Sequence, residues 1–224
     1  MTPSPSATGL RADAERNRLQ VIEAARKVFA ERGLEVAMSD IAERAGVGVA
    51  TLYRRFPSRA DLIAAAFEDK MSNYADGVEV ALADPDPWNG FCGYVRRLCV
   101  MQSTDRGFCE VLTMALPSAK RFETTRRRAY TGFKKLIKKA QDTGALRRDF
   151  VPEDLIMLLM ANAGVLTATE GAAPRMSPRL IEYLLEAFAA PGKGTLPPPP
   201  SNRQTFKALL RLERASSDTN PTPS

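Results

Sequence analysis

At 224 residues, 44% of them hydrophobic and 26% charged, the chain is long enough for one or two domains with a sizeable core and has the composition of a soluble globular protein. It has no histidine, and Cys92, Cys99 and Cys109 lack CxxC spacing, so no metal centre, cofactor site or disulfide framework is expected; no apolar run is long enough to span a bilayer. A net charge of +6 favours a polyanionic partner, although most of the excess lies between Lys120 and Arg148, opposed locally only by Glu123 and Asp142. Residues 1–12 are polar, contain Pro3 and Pro5, and read as a disordered extension without the apolar core of a signal peptide, which predicts a cytoplasmic protein. Ile22, Ala25 and Phe29 then fall at i, i+3 and i+7 and predict an amphipathic helix that stops at Gly33. Arg11, Arg16 and Arg18 ahead of it fit either a solvated helix start or a basic arm reaching phosphate or the minor groove.

The stretch from Met38 to Phe56 carries the most specific pattern. Ser39 is placed to cap a helix, with Asp40 and Glu43 near its positive end, Ile41 and Ala45 on its buried side, and Ala42 small enough for a close crossing. Gly46 can take the left-handed conformation that ends this helix, and Val47 and Leu52 would pin a second helix onto the first. That leaves Gly48, Val49, Ala50, Thr51, Tyr53 and Arg54 to face a major groove, which admits an α-helix. Taken alone, the spacing also fits an ordinary αα-hairpin with a glycine turn. The flanking residues tip the balance, because Tyr53-Arg54-Arg55-Phe56 brings phosphate-binding side chains and Pro57-Ser58-Arg59-Ala60-Asp61 opens a further helix with a capping pattern. From about Arg18 to Ala66 the residues resemble the TetR family of bacterial transcriptional regulators, with the alanine, alanine-glycine-valine, threonine-leucine-tyrosine and phenylalanine landmarks in order. The resemblance implies a three-helix DNA-binding domain over residues 13–60 and puts Tyr53, Arg55 and Arg59 at positions that commonly touch the DNA backbone. Ser39, Thr51 and Arg54 offer polar contacts to bases, and Val49 and Ala50 offer apolar ones.

Residues 61–190 read as a second helical domain. A helix from Ser58 to about Leu82 ends at Asp84-Pro85-Asp86-Pro87; others follow from Trp88 to about Ser103, from Arg106 to Leu116, and from Ser118 to about Thr143 with a basic face. That face is either solvated or a secondary site for DNA or an acidic ligand. Leu155 to Thr169 is apolar nearly all round, and Leu180, Ile181, Leu184, Leu185 and Phe188 form a broad stripe, as a dimer interface requires. Pro191 to Asn202 reads as a stiff linker, residues 203–215 as a further amphipathic helix, and the end of the 191–224 segment as a disordered tail.

With no histidine and no phosphate-binding glycine loop, the chain offers no catalytic constellation and is not expected to be an enzyme. Trp88, Phe91, Tyr94, Leu98, Met101, Phe108, Met114, Phe133, Met157 and Met160 either line an apolar cavity for a small molecule or fill a core; the TetR resemblance favours the cavity. Cys92 and Cys99 read as buried small hydrophobes. The combined expectation is an all-α homodimer with an N-terminal helix-turn-helix domain and a C-terminal helical ligand-binding and dimerisation domain. It would repress from a palindromic double-stranded operator and be released by a small apolar or aromatic ligand. A constitutive regulator, an activator or a helical protein-interaction module are the alternatives.

Overall fold

A computed structural model describes the backbone of residues 7–113, 116, 118–169, 171–192, 194, 196–201, 203–205 and 207–208, with the side chains of 7–12, 106, 109 and 113 outside the description. Among the described residues the chain is helical without strands: α1 (Ala7–Arg32), α2 (Met38–Arg44), α3 (Val49–Arg55), α4 (Arg59–Ala83), α5 (Pro87–Thr104), α6 (Arg106–Thr113), α7 (Lys120–Asp142), α8 (Pro152–Thr169) and α9 (Met176–Phe188). One isolated bridge, Leu146 to Ala189, ties the α7–α8 connection to the end of α9.

The punctuation read from the sequence is largely where the chain turns. Gly33, Gly46 and Gly144 all have positive φ at helix ends. Ser58 caps α4 with a full capping box, its hydroxyl accepting from Asp61 N while the Asp61 carboxylate accepts from Ser58 N. Three expectations change. First, α1 begins at Ala7, inside the stretch read as disordered; downstream of Pro5, the alanines of Ala7-Thr8-Gly9-Leu10-Arg11-Ala12-Asp13-Ala14 favour a helix. Second, Ser39 does not cap α2. The extended residue before the helix is Ala37, whose carbonyl accepts from Asp40 N and Ile41 N, because Met38 is already anchored in the core. Third, α2 has only seven residues, so Asp40 sits in its first turn but Glu43 falls at the other end. A helical turn at 203–205 begins where the last helix is expected, and the remainder of that helix lies mostly outside the described residues.

Two cores share α4. The first joins Val21, Ala25 and Phe29 of α1, Ile41 and Ala42 of α2, Leu52 of α3, and Leu62, Ile63, Phe67 and Met71 of α4. It also takes in Phe108 and Val111 of α6, so a helix assigned from the sequence to the second domain packs into the base of the first. Phe67 bridges Phe29 and Phe108, with both pairs of ring centroids 6.0 Å apart. α6 comes this close because residue 107 is glycine; a Cβ there would lie 2.8 Å from both the Phe29 carbonyl oxygen and the Phe67 ring. The second core runs through Val78 of α4, Phe91, Tyr94, Val95 and Leu98 of α5, Phe133 and Leu136 of α7, Phe150, and Leu155, Leu158, Ile181, Leu185 and Phe188 of α8 and α9. Tyr74 and Met101 pack against both.

The basic face of α7 is less solitary than its sequence neighbours suggest. Arg121 pairs with Glu68 at 2.9 Å, and Arg128 with Asp76 and Glu79, all on α4. Lys139 donates to the Leu82 carbonyl at 2.9 Å and Lys138 pairs with Asp142. Arg126 turns inward, donating to the Val111 carbonyl at 2.9 Å beside Glu123, which itself accepts from Leu116 N. Four of its basic side chains, Arg121, Arg126, Arg128 and Lys139, thus hold α4 and α6.

Candidate nucleic-acid interface and ligand cavity

A seven-residue helix is too short to hold itself, so α3 depends on what it buries. Leu52 is fully buried between α2 and α4, with Phe56 beside it and Val47 partly covered. Apart from Thr51, the rest of α3 looks outward. Val49 and Tyr53 are 43% and 47% exposed, and Ala50, Arg54 and Arg55 are exposed with them, while Thr51 is half-buried. The set combines apolar surface with two guanidiniums and a phenol, side chains that can meet base edges and phosphate oxygens. Gly48 precedes the helix with φ −68°, and a Cβ built there meets nothing within 4 Å. The fold therefore does not require glycine at 48, in contrast to Gly46 at φ +66°. Ser39 is also exposed, near the first turn of α2.

Arg59 has a different employment from the phosphate contact expected of it. Its Nη1 donates to the carbonyls of Leu34 and Val36, each at 2.6 Å, so the side chain braces the loop ahead of α2. Leu34 is held from the other side as well, because its N–H donates to Glu110 Oε2 of α6 at 2.8 Å. One backbone unit thus carries contacts from α4 and α6 together. α6 is in turn fixed at its start by Asp105, which is 5% exposed, accepts from Phe108 N and pairs with Lys70 of α4. Arg26 of α1 ties to α4 through the Ala66 carbonyl and Asp69.

The ten residues expected to line a cavity do not line one together. Phe91, Tyr94, Leu98, Phe108 and Phe133 are buried to within 2% and fill the two cores. Trp88 stacks on Phe91 at 5.6 Å and Phe91 on Phe133 at 5.9 Å, with Phe150 edge-on at 5.3 Å, so rings occupy the space a ligand would need. Met101 fills the seam between the cores, Met160 is half-buried, Met157 faces outward at 61% exposure, and Met114 lies outside the described residues. Cys92 and Cys99 are buried, and burial pushes the Cys92 thiol up to about 11, which suits a packing role.

The cavity lies elsewhere. A space of about 760 Å³ opens between the outer face of α5, the end of α8 and the start of α9, lined by Cys99, Val100, Gln102, Leu166, Ser177 and Ile181 among others. Against its floor runs a row of neutral polar side chains. Ser177 Oγ donates to Asn162 Oδ1 at 2.7 Å, Asn162 Nδ2 donates to Gln102 Oε1 at 2.9 Å, and Gln102 Nε2 donates to the Leu159 carbonyl at 3.2 Å. All three are less than 7% exposed. None was singled out from the sequence, yet a signal existed: Asn162 interrupts the apolar run of α8 and Gln102 the apolar stripe of α5.

On the far side, α8 and α9 leave apolar surface uncovered by the chain. Met157, Ala161, Gly164 and Ala168 are exposed along one line of α8, and Met176 and Tyr183 are 53% and 59% exposed on α9. Leu155, Leu158, Ile181, Leu185 and Phe188, which the sequence offered to the same role, are buried in the chain's own core. The helical period explains the difference, since each of these broad stripes has an inner and an outer half.

Known proteins resemble this chain in both halves. The family model described as "Bacterial regulatory proteins, tetR family" matches residues 21–66, and that described as "Transcriptional regulator SbtR-like, C-terminal domain" matches residues 86–186. An HTH-type transcriptional regulator of Staphylococcus aureus (strain USA300) is 44% identical over 54 residues, which cover 24% of this chain and only 29% of that protein. The solved TetR transcriptional regulator SCO0520 from Streptomyces coelicolor is 28% identical, with a TM-score of 0.50 over 77% of this chain and 98% of that one. FadR from Bacillus subtilis, solved in complex with stearoyl-CoA, shares the fold at 16% identity, with a TM-score of 0.58 over 76% of this chain and 99% of its own.

Proposed function

The chain belongs to the TetR family of bacterial regulatory proteins, and on that premise we propose that it is a DNA-binding transcriptional regulator, a cytoplasmic homodimeric repressor without catalytic activity that leaves a palindromic operator when a small molecule binds. The observation that carries this reading is α3 itself, a short helix fastened by Leu52 with Val49, Ala50, Tyr53, Arg54 and Arg55 all turned to solvent. Tyr53 and Arg55 suit phosphate oxygens, which leaves the Arg54 guanidinium to bond a guanine edge bidentately. Val49 and Ala50 fit thymine methyl groups. At Gly48 the missing Cβ lets a phosphate approach the backbone closely. Arg59 acts behind this surface, keeping the loop ahead of α2 in place.

Two copies meet through the outer halves of α8 and α9. The small residues Ala161, Gly164 and Ala168 allow close helix approach, and Met157, Met176 and Tyr183 supply apolar area. Release follows from geometry: two heads must sit about one DNA turn apart, ~34–36 Å or a multiple, so a modest tilt of α4 and α6 defeats simultaneous docking. The clamp on Leu34 gives both helices a hold on the head.

No helix among the described residues is long and apolar enough to cross a membrane. The reading is tested by native mass measurement of the complex with a selected operator duplex. Two chains per duplex, or a higher even number, are expected. One chain per duplex, or no complex at low micromolar protein in physiological salt, would overturn it.

A further inference from the structure

The cavity between α5, α8 and α9 has the size of a small-molecule site and an interior chemistry that narrows what it takes. We propose that it binds an uncharged, largely apolar molecule bearing one hydroxyl or carbonyl oxygen; its use as the releasing signal rests on the function proposed above. At about 760 Å³ the cavity lies within the usual range for ligand sites, roughly 300–1,000 Å³. Its walls are mainly apolar, with Val100, Leu166, Pro174 and Ile181 contributing.

The polar row at its floor sets the specificity. Burying amides and a hydroxyl in an apolar interior is costly unless they are hydrogen-bonded, and here each bonds the next. The row does not consume all its capacity. A glutamine amide has two N–H donors, and the Gln102 contact to Leu159 uses one; the Ser177 hydroxyl donates to Asn162 and keeps its acceptor lone pairs. Gln102 and Ser177 both border the cavity, so the spare donor and acceptor belong to side chains that line it. A ligand hydroxyl can use both, and a carbonyl can use the donor.

Charge is disfavoured on either sign. The row is neutral, and the ions bordering the cavity, Arg96 and Glu182, face each other in a two-point pair at 2.7 and 2.8 Å. The hydrogen bonds from Arg96 hold the Glu182 carboxyl below its ordinary range, so the pair stays ionised. A charged ligand would lose its hydration with no unpaired counter-charge to meet it. Cys99, Gln102, Ser177 and Ile181 on the floor are all less than 7% exposed and suit a small molecule, while the rim, with Val100 61% exposed, is open to solvent; a second copy of the chain seated on that rim is read by the self-association arm of the test. The position also suits a signal: Gln102 is one turn before Asp105, which caps α6 and pairs with Lys70 of α4.

The test titrates naphthol, tetralone and menthol into isotope-labelled full-length protein, with naphthalene, tetralin and naphthoate as matched hydrocarbons and anion, reading the side-chain amides of Gln102 and Asn162 by NMR. At least one neutral oxygen-bearing probe is expected to shift both amides saturably and to bind about tenfold or more tightly than its hydrocarbon or anion, the worth of one well-made hydrogen bond. Val100→Trp, at an exposed position on the wall, is expected to block binding without changing the oligomeric state; Gln102→Met should erase the preference for oxygen. The proposal is overturned if no neutral oxygen-bearing probe saturates, if hydrocarbon or anion binds equally well, or if Val100→Trp leaves binding intact or alters self-association. Operator affinity is followed in the same samples. A probe that fills the cavity without weakening DNA binding leaves the site standing and removes the release reading.

Discussion

Met157→Asp combined with Tyr183→Asp is expected to yield folded monomers that no longer hold the operator. Met157 and Tyr183 are 61% and 59% exposed within one chain, so charging them costs the isolated fold little. Placed against their copies, four new carboxylates would meet in a largely apolar contact where Arg179, one turn before 183, offers a cation to only one of the two positions in each chain, and like charges there cost several kcal/mol. Tyr183 also loses the Arg179 guanidinium that lies over its ring at 4.9 Å and donates to its hydroxyl at 2.6 Å. Each head then binds alone, and forfeiting the second head's effective concentration weakens operator binding by ~10²–10⁴. Sedimentation velocity gives the state and fluorescence anisotropy the affinity, at matched protein concentrations. Leu185→Asp is the contrast: Leu185 is 3% exposed in the chain's own core, so that variant should lose the fold itself. A double variant that stays dimeric, or a monomer that binds the operator as tightly as the wild type, would contradict the assignment of this face.

The second large effect separates affinity from specificity on α3. Arg55→Ala removes a phosphate contact, so binding to every duplex should weaken alike and the salt slope should fall by about 1. Ala50→Gln and Arg54→Ala should instead change the preferred base pair in each half-site, by roughly 1–3 kcal/mol. Arg59→Ala belongs to neither class. Its guanidinium bonds the carbonyls of Leu34 and Val36, so its loss should lower the melting midpoint and weaken binding through a loosened loop. Unchanged stability of Arg59→Ala together with a reduced salt slope would return Arg59 to the phosphate-binding set.

Arg59 also marks the limit of what the sequence discloses. An arginine opening a helix just after the recognition segment reads as a phosphate ligand, and nothing along the chain reveals that two loop carbonyls lie within reach. Features with local causes were legible: the helix stop at Gly33, the left-handed turn at Gly46, the Ser58–Asp61 box, and a second helix pinned by Leu52. The start of α2 was misread because Ser39 is a good capping type, whereas burial of Met38 fixes the helix two residues earlier, with Ala37 at the cap position. The cavity was misplaced for a similar reason. Periodicity shows that Phe91, Tyr94 and Phe133 are covered, but whether rings or a void cover them depends on long-range packing among α4, α5 and α7. A better guide lay in the polar exceptions, Gln102 and Asn162, since a polar side chain in a buried stripe must be answered by something. That α6 belongs to the head's core was equally hidden; it follows from the contact of Gly107 with Phe29 and Phe67, residues far apart in the chain.

The most direct test of the central claim is selection of wild-type binding sites from random duplexes at physiological salt. The expected result is a consensus of two inverted half-sites whose centres lie one DNA turn or a multiple apart, about 10–10.5 base pairs per turn, with the bases under Ala50 and Arg54 the most constrained. Enrichment of a single half-site, of directly repeated half-sites, or of no sequence at all would contradict a twofold pair of α3 helices reading the major groove.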